Sequence, residues 1–301
     1  MSIKVSHVTK VYGEQRALDD VNFEIQRGHI IGFLGPNGAG KSTMMKIITC
    51  YLPPTEGSVE VCGIDVSASP MEVKKRIGYL PEHNPLYPEM YVREYLEFVA
   101  GVHQIPNKKA RVEEMIDLVG LSVERKKKIG ALSKGYRQRV GLAQAMIHDP
   151  EVLILDEPTT GLDPNQIVEI RNLIKNIGED RTVMLSTHIM QEVEAICDRV
   201  IIVNRGKIVA DDDAANLVKF QNKLFIRVEF NKAVASNVLA QIPGVSEVKK
   251  VSDSVWLLGS DGDKDIRQVV FDFAVKNDLS VLTIQKEEQR LEDIFKRLTT
   301  S

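Results

Sequence analysis

The sequence predicts an α/β fold in which helices wrap a mostly parallel sheet. Three short stretches, HIIGFL (29–34), EVLILD (151–156) and TVMLST (182–187), have the near-continuous hydrophobicity of strands that are buried on both faces. Amphipathic segments separate them, and this alternation is typical of parallel α/β sheets. Each stretch ends in polar residues. Because ligands of open parallel sheets bind beyond the carboxyl ends of the strands, we expect the functional residues there.

Length and composition are those of an ordinary globular protein. The 301 residues suggest two domains, and the 43% hydrophobic content is sufficient for a large core. The formal net charge of -3 argues against a general nucleic-acid binder, which would carry a strongly basic face. The chain shows no secretory signal and no run of about 18 apolar residues. Cys50, Cys62 and Cys197 lack metal-ligand spacing, so we expect reduced thiols in a cytoplasmic protein.

A different pattern occupies residues 90 to 148. Tyr91, Tyr95 and Phe98 recur at helical spacing, and ARVEEMIDLVGL continues that periodicity. We therefore predict a helical subdomain within a first domain of residues 1 to 220. Near the end of this domain, VIIVNRGKIVADD is predicted to be a hairpin with a glycine in its turn.

A second domain is predicted for residues 223 to 301. KLFIRVEF and LSVLTIQ alternate as strands, AVASNVLAQI and DIRQVVFDFAVKN have helical patterns, and PGVSEVKKVSDSVWLLG contains two strands around SDS. RLEDIFKRL is predicted to be a terminal helix. The resulting order, βαββαβ, predicts a small ferredoxin-like α+β domain. We expect this accessory domain to regulate or assemble rather than to catalyse, because no motif of the nucleotide site falls in it.

The segment GPNGAGKST (35–43) fits the phosphate-loop pattern G-x-x-x-x-G-K-[ST] between a predicted strand and a predicted helix. Glycines let backbone N–H groups turn toward a phosphate, and the helix N-terminus adds favourable partial charge. Lys41 would reach the β and γ phosphates of a nucleotide, and Ser42 would ligate Mg²⁺. The alternative is a glycine-rich turn without a ligand. The nucleotide-binding residues predicted in this loop are Gly35, Pro36, Asn37, Gly38, Ala39, Gly40, Lys41, Ser42 and Thr43.

Acidic residues follow the second predicted strand in LILDEPTTGLD. Asp156 ends the strand, where it could hold Mg²⁺, and Glu157 follows, where a carboxylate could polarise an attacking water. Without a phosphate loop, such a pair would equally suit a helix N-cap. His188 closes LSTH on the third strand and would lie at the same end of the sheet. There it would either contact the γ-phosphate or satisfy a local hydrogen bond.

Together these motifs resemble the ATP-binding subunits of ATP-binding cassette (ABC) transporters over roughly residues 1 to 220. The resemblance implies a P-loop NTPase with a RecA-like parallel sheet core and with antiparallel β and helical subdomains. By that resemblance Tyr12 stacks on adenine, although a core tyrosine is the alternative. Glu82 in YLPE replaces the usual glutamine and is expected to sense magnesium, the alternative being a solvent-facing loop residue. Asp163 in GLD resembles a residue of the loop that crosses a dimer interface.

The stretch LSKGYRQR (132–139) resembles the family signature LSGGQ and begins a predicted helix. The resemblance implies that Ser133 and the backbone at Gly135 bind the γ-phosphate held by another subunit. Lys134 replaces the usual glycine and Tyr136 the usual glutamine, while the serine and the second glycine remain. The alternative is an exposed basic helix start.

The family resemblance favours a transport motor with ATP and Mg²⁺ as cofactors. A single cassette requires a homodimer or a paralogous partner, and the absence of a membrane span requires a separate permease at the inner face of the cell membrane. The alternatives are a non-transport ABC ATPase acting on ribosomes or nucleic acid, and a small kinase or GTPase. The first usually carries two cassettes or a long insertion, and the second has no use for the signature stretch.

Finer features resemble the export branch of the family. YLPE, the Ser-x-Gly signature and the ending LEDIFKRLT are similar to subunits that serve drugs, sodium or polysaccharide. CYLPPTEGSVEVCGIDV and the chain length are most similar to the ATP-binding subunit associated with gliding motility. The aromatic residues Tyr87, Tyr91, Tyr95 and Phe98 are predicted to receive the permease, unless Tyr95 and Phe98 form the core of the helical subdomain.

Overall fold

The computed structural model describes residues 1–219, 225–260 and 265–287, and the chain divides into two compact units between Ala214 and Ala215. The strands of the first unit are β1 (Ile3–Tyr12), β2 (Gln15–Ile25), β3 (Ile30–Leu34), β4 (Glu56–Val61), β5 (Ile64–Asp65), β6 (Ile77–Leu80), β7 (Val152–Asp156), β8 (Thr182–Thr187), β9 (Arg199–Asn204) and β10 (Lys207–Asp213). The helices in the same part of the chain are α1 (Lys41–Ile48), α2 (Pro70–Arg76), α3 (Val92–Val102), α4 (Lys108–Leu118), α5 (Lys134–Met146), α6 (Pro164–Gly178) and α7 (Met190–Ile196), with a short 3₁₀ turn at Ile129–Ala131. Helix α8 (Ala214–Lys219) follows.

The main sheet has six strands in the order β10-β9-β3-β8-β7-β6, and β9 to β6 are parallel. The three strands predicted from apolar stretches are β3, β7 and β8, and every residue of each is buried. Their parallel register places Leu34, Asp156 and Thr187 at one edge of the sheet. The predicted hairpin is β9 and β10, which pair antiparallel. The predicted parallel α/β core is therefore confirmed.

A second sheet in the same unit is antiparallel and has the order β2-β1-β4-β5. Its apolar face packs on α1 and on one face of the main sheet, with the Phe23 and Phe33 rings 5.8 Å apart between centroids. Met44 and Ile47 of α1 are fully buried in this core. Burial of apolar area is the main stabilising term here. This packing fixes the start of α1 against the main sheet and thereby positions the loop that precedes it.

The predicted helical subdomain consists of α3, α4 and α5. Its core contains Leu96 of α3, Ile116 of α4 and Val140 of α5, all fully buried. Arg111 on α4 donates hydrogen bonds to the carbonyl oxygens of Met146 (2.9 Å) and Ile147 (3.0 Å), which satisfies the C-terminal end of α5. This core continues onto the second face of the main sheet, so α5 is anchored at its carboxyl end.

The second unit contains β11 (Phe225–Phe230), α9 (Ser236–Leu239), β12 (Val245–Lys250), β13 (Val255–Ser260), α10 (Arg267–Lys276) and β14 (Val281–Glu287). The strands form an antiparallel sheet in the order β12-β13-β11-β14, and the elements follow the predicted βαββαβ order. Helix α9 has four residues, because Ala235 before it is extended, and the predicted helix over AVASNVLAQI was too long. The predicted terminal helix RLEDIFKRL lies outside the described residues.

The three cysteines are free, as the sequence predicts. Among the described residues, no helix combines the length and apolar character needed to cross a membrane.

Candidate nucleotide-binding site

A cleft of about 550 Å³ opens at the carboxyl edge of the main sheet, where β3, β7 and β8 end. Both polar and apolar groups line it, as expected of a site for a charged ligand with an aromatic or aliphatic part. Its lining residues are Tyr12, Gln15, Ala17, Asn37, Gly38, Gly40, Lys41, Ser42, Thr43, Glu82, Glu157, Thr160 and His188.

The predicted phosphate loop connects β3 to α1. Gly38 and Gly40 have φ angles of 80° and 108°, a region that glycine adopts without strain. A Cβ on Gly40 would lie 2.5 Å from the carbonyl oxygen of Ala17, so a larger residue does not fit there. Helix α1 begins at Lys41, and its first N–H groups point toward the loop. This loop therefore has the geometry of an anion-binding site.

Lys41 is only 6% exposed and lies along the loop. Its ammonium donates hydrogen bonds to the carbonyl oxygens of Gly35 (2.7 Å) and Pro36 (3.2 Å). The same nitrogen is 3.5 Å from Oε1 of Glu157, which makes a buried ion pair between the loop and the end of β7. A buried lysine is retained when it is paired and hydrogen-bonded, and here its positive charge is held beside the anion-binding loop.

Asp156 and Ser42 form an oxygen-donor pair at the base of the cleft. The Ser42 hydroxyl donates to Oδ1 of Asp156 at 3.2 Å, and the Ser186 hydroxyl donates to the same oxygen at 2.5 Å. Asp156 is 2% exposed. Oxygen ligands of this kind are those that Mg²⁺ prefers, and the metal commonly keeps several waters and substrate phosphates as its other ligands. The side chains present therefore fit a magnesium ion.

Glu157 and His188 meet in the cleft. Nδ1 of His188 lies 2.9 Å from Oε2 of Glu157, and the Thr160 hydroxyl donates to the same oxygen at 3.0 Å. Glu157 has a φ of 50°, and its backbone N–H donates to the Ser186 hydroxyl at 3.0 Å. The positive φ turns the chain sharply at the end of β7 and is held by this hydrogen bond. The carboxylate is therefore fixed in direction beside the phosphate loop.

Tyr12 and Glu82 line the outer part of the cleft. Tyr12 ends β1 and is 45% exposed, which excludes the alternative of a core tyrosine. Its ring lies 5.4 Å from the ammonium of Lys10. Glu82 follows β6 and is exposed, but it faces the same cleft as Lys41 and His188. A tyrosine face at the rim is suited to a planar base, since aromatic rings stack with offset geometry.

The predicted residues of the signature and of the GLD loop do not line the cleft. Ser133 is the N-cap of α5 and accepts a hydrogen bond from the Tyr136 N–H at 3.4 Å. Asp163 is the N-cap of α6 and accepts from the Gln166 N–H at 2.9 Å. Gly135 is buried, and a Cβ on it would lie 2.7 Å from Cδ of Gln166. The signature helix therefore contacts the first turn of α6, and none of these three residues lines the cleft that contains the phosphate loop.

The sequence interpretation overlooked four residues of this region. Gln15 and Ala17 line the cleft, Thr160 binds Glu157, and Ser186 binds Asp156. Thr160 and Ser186 stand in the quoted motifs TTGLD and LSTH, so their proximity to functional residues was a usable signal. Gln15 and Ala17 lie in β2, and no local pattern connects that strand to the loop that follows β3.

Comparison with known proteins gives a consistent family. Residues 18–160 match the family model described as ABC transporter. The chain is 35% identical over 305 residues to the bacitracin transport ATP-binding protein BcrA of Bacillus licheniformis, covering 98% of this chain and 96% of BcrA. It is 30% identical over 306 residues to the linearmycin resistance ATP-binding protein LnrL of Bacillus subtilis (strain 168), covering 99% and 98% of the two chains.

Solved structures agree with this. The dimeric structure of MJ0796, a bacterial ABC transporter cassette, matches with a TM-score of 0.64 and 28% identity over 70% of this chain and 98% of that chain. A dimeric structure of the same cassette in a post-hydrolysis state, bound to ADP and Pi, matches with a TM-score of 0.65. The chain therefore belongs to the family of ABC transporter ATP-binding subunits, and it is an ATPase that converts ATP to ADP and phosphate.

Proposed function

We propose that the chain is the motor of an exporter, in which two cassettes close around ATP and a separate permease uses the movement that follows hydrolysis. The observation that carries this proposal is the separation of Ser133 and Gly135 from the cleft that contains Lys41 and Glu157. The site of one chain lacks the signature donors, so a second cassette, either another copy or a paralogue, completes it. The relatives named for bacitracin transport and linearmycin resistance support an export role.

In the proposed reaction the phosphate loop and Lys41 bind the β and γ phosphates, and Tyr12 packs against adenine. Ser42 and Asp156 would hold Mg²⁺, which when bound neutralises charge on the phosphate oxygens. Glu157 orients the attacking water and accepts its proton. His188 holds the Glu157 carboxylate in place at 2.9 Å and is exposed on the side that faces the cleft. Ser133 and the Gly135 N–H of the second cassette contact the γ-phosphate.

The permease surface is proposed on the aromatic cluster of Tyr87, Tyr91 and Phe98. These side chains are 53%, 48% and 48% exposed, and the Tyr87 and Phe98 ring centroids are 6.0 Å apart. Exposed clustered aromatics are typical anchors of protein interfaces. Tyr95 does not belong to this surface, because it is 4% exposed and its hydroxyl donates to Oε1 of Gln144 in the helical core.

The second unit is proposed to be a ferredoxin-like accessory domain that regulates or assembles the transporter. Its βαββαβ order and its antiparallel sheet support this fold. The sequence places the domain boundary at residues 220 to 223, a few residues after the division between the two compact units at Ala214 and Ala215. We place the protein at the inner face of the membrane through its permease. The link to gliding motility is a hypothesis from the sequence alone, because the relatives reported above are named for bacitracin transport and linearmycin resistance.

The proposal is tested by co-expression with candidate multi-span permeases, sought first among the products of neighbouring genes. Tyr87→Ala should reduce co-purification with the permease by roughly tenfold or more, as expected for loss of an aromatic anchor, and should leave the thermal unfolding midpoint unchanged. Phe271→Ala, an equally exposed aromatic in the second unit at 49%, is the matched control and should co-purify normally. If no permease binds the wild-type subunit, or if Tyr87→Ala binds as well as the control, the proposed docking surface is wrong.

A further inference from the structure

A buried carboxylate behind the cleft is not used by any step described so far. Glu192 on α7 is 1% exposed and does not line the cleft. Within the described ranges, no lysine, arginine or histidine nitrogen lies within 4.0 Å of it. An ionised carboxylate without a cationic partner is costly to bury unless hydrogen-bond donors compensate it. The burial of Glu192 therefore depends on hydrogen-bond donors among the groups that it contacts.

Two hydroxyl groups supply that compensation. The Thr187 hydroxyl donates to Oε2 of Glu192 at 2.5 Å, and the Thr159 hydroxyl donates to Oε1. The Thr187 oxygen in turn accepts from the Ile189 N–H at 3.0 Å. Hydrogen bonds to an ionised acceptor are about twice as strong as neutral ones. Glu192 thus joins two loops that are 28 residues apart in the chain, through one oxygen each.

These two loops carry the two groups that meet in the cleft. Thr159 lies two residues after Glu157. The N–H of Thr160, the next residue, donates to the carbonyl oxygen of Glu157 at 3.2 Å. Thr187 directly precedes His188. At the front of the cleft the two loops are linked by the 2.9 Å pair of His188 and Glu157, and at the strand ends Ser186 contacts Asp156 and the Glu157 N–H. Glu192 forms a further link behind the His188–Glu157 pair, between the residues that follow these contacts.

We propose that Glu192 is a positioning residue for ATP hydrolysis, which fixes the Glu157–His188 pair through Thr159 and Thr187. The inference rests on the proposed roles of Glu157 and His188. Loss of the link allows the two loops to separate, so that Glu157 is less often aligned for the attacking water. A displacement of about 1 Å in a catalytic group can cost about 100-fold in rate. Nucleotide binding depends on the phosphate loop, which Glu192 does not touch, and stays intact.

The test measures ATPase turnover and, separately, binding of a fluorescent ATP analogue by the full-length chain. Glu192→Gln removes the charge and one acceptor without changing size, and we expect turnover to fall by about 10- to 100-fold. The dissociation constant should change by less than about threefold. Glu192→Asp retains the carboxylate and should recover part of the lost rate. Glu194→Gln, an exposed glutamate on the same helix, is the matched control and should match wild type.

A double-mutant cycle with His188→Ala separates positioning from a merely structural effect. If Glu192 acts through the His188–Glu157 pair, Glu192→Gln should lower the rate of His188→Ala by less than about twofold. Additive losses, a parallel loss of nucleotide binding, or a wild-type rate in Glu192→Gln would overturn the proposal. A wild-type rate in His188→Ala alone would instead overturn the role proposed for His188. If Glu192→Gln does not fold, Thr159→Val and Thr187→Val are measured in the same way, and unchanged turnover in both overturns the inference.

Discussion

The polar side chains of the cleft have more hydrogen-bond and ion-pair partners within one chain than those at the N-terminal end of α5. In the cleft, Lys41, Asp156 and Glu157 are at most 7% exposed, and each is held by hydrogen bonds or ion pairs. At the start of α5, Ser133 is exposed and accepts a single long hydrogen bond of 3.4 Å from Tyr136. A pre-organised charged site and an exposed donor surface complement each other. This contrast supports the proposal that one chain carries two different halves of a shared reaction site.

Among changes in the cleft, Glu157→Gln is expected to have the largest effect on the ATPase rate. The amide cannot accept a proton from water, and loss of a positioned base costs about 10²- to 10⁴-fold in rate. Lys41 and the loop backbone remain, so ATP should still bind. We expect the variant to accumulate as an ATP-bound dimer, which size-exclusion chromatography would show as an earlier peak.

The control for this variant is Glu179→Gln, an exposed glutamate at the end of α6. It should hydrolyse ATP at the wild-type rate and elute as wild type does. Turnover of Glu157→Gln within about threefold of wild type would contradict the assignment, because a general base is worth far more than that. An inactive variant that also fails to bind ATP would show that the ion pair with Lys41 supports the loop instead.

The cleft half could largely be predicted from the sequence, for a physical reason. Residues 35 to 43 form a continuous loop whose glycines and lysine are required locally, and β7 and β8 end in polar residues that a parallel sheet brings to one edge. The contribution of β2 through Gln15 and Ala17 could not be predicted, since it depends on how the antiparallel sheet packs. Glu192 was missed because a glutamate within an amphipathic helix has no local feature that separates a buried position from a solvated one.

The helices show the same limit. The periodicity of residues 90 to 148 predicted the helical subdomain, but it could not separate Tyr95, which is buried, from Phe98, which is half exposed. Positions three residues apart lie on adjacent parts of one helical face, and only the tertiary contact with Gln144 decides between them. The pattern of AVASNVLAQI likewise predicted a helix of ten residues, of which four form one. The secondary structure of a short apolar segment depends more on its tertiary packing than on its helix propensity.

A complementation experiment sharpens the comparison between the two halves. Lys41→Ala breaks the cleft half, and Ser133→Glu places a negative charge where the donor surface would meet a phosphate. Each variant alone should lose most ATPase activity, because every site in its dimer is broken. A mixed dimer contains one intact site, formed by the cleft of Ser133→Glu and the signature of Lys41→Ala, so an equal mixture should recover up to about one quarter of wild-type activity.

Two controls make this result specific. Co-purification of differently tagged Lys41→Ala and Ser133→Glu chains reports whether dimers exchange subunits, independently of activity. Mixing Lys41→Ala with Ser42→Ala, two changes in the same half, should recover nothing. Recovery in that second mixture, or no recovery in the first despite exchange, would contradict a site shared between chains.

A smaller effect is expected at the opposite end of α5, where polar groups are buried rather than exposed. His148 follows the helix, stacks on His103 at 4.2 Å, and donates from Nε2 to the Ile77 carbonyl oxygen at 3.0 Å. Burial, together with the smaller effect of the neighbouring His103, lowers the pKa of His148 from 6.5 to about 4. The unfolded chain binds a proton between these values while the folded chain does not. With respect to His148, the free energy of unfolding is therefore highest above pH 6.5 and decreases as the pH falls toward 4.

Urea unfolding at pH 7.5 and pH 5 measures this contribution. Between the two pH values, the free energy of unfolding of the wild type should fall by about 2 kcal/mol more than that of His148→Gln, in which the side chain no longer titrates. His7→Gln, a change at a histidine whose side chain is 78% exposed, is the matched control and should retain the wild-type dependence. If the free energy of unfolding falls equally in wild type and His148→Gln, His148 is as accessible to water as the residues at the start of α5.

The smallest effect is expected at Glu82, which lies in the cleft but is exposed as the signature residues are. Glutamate and glutamine both offer an oxygen to Mg²⁺ at similar reach, so Glu82→Gln should retain ATPase activity within several-fold. The carboxylate adds negative charge near Asp156, Glu157 and the phosphates, and the metal must offset that repulsion. The glutamine variant should therefore reach half its maximal rate at a lower magnesium concentration, whereas Glu89→Gln, at an exposed glutamate outside the cleft, should not. If Glu82→Ala and Glu82→Gln both match wild type in magnesium dependence, Glu82 belongs with the solvent-facing residues and has no part in the cleft.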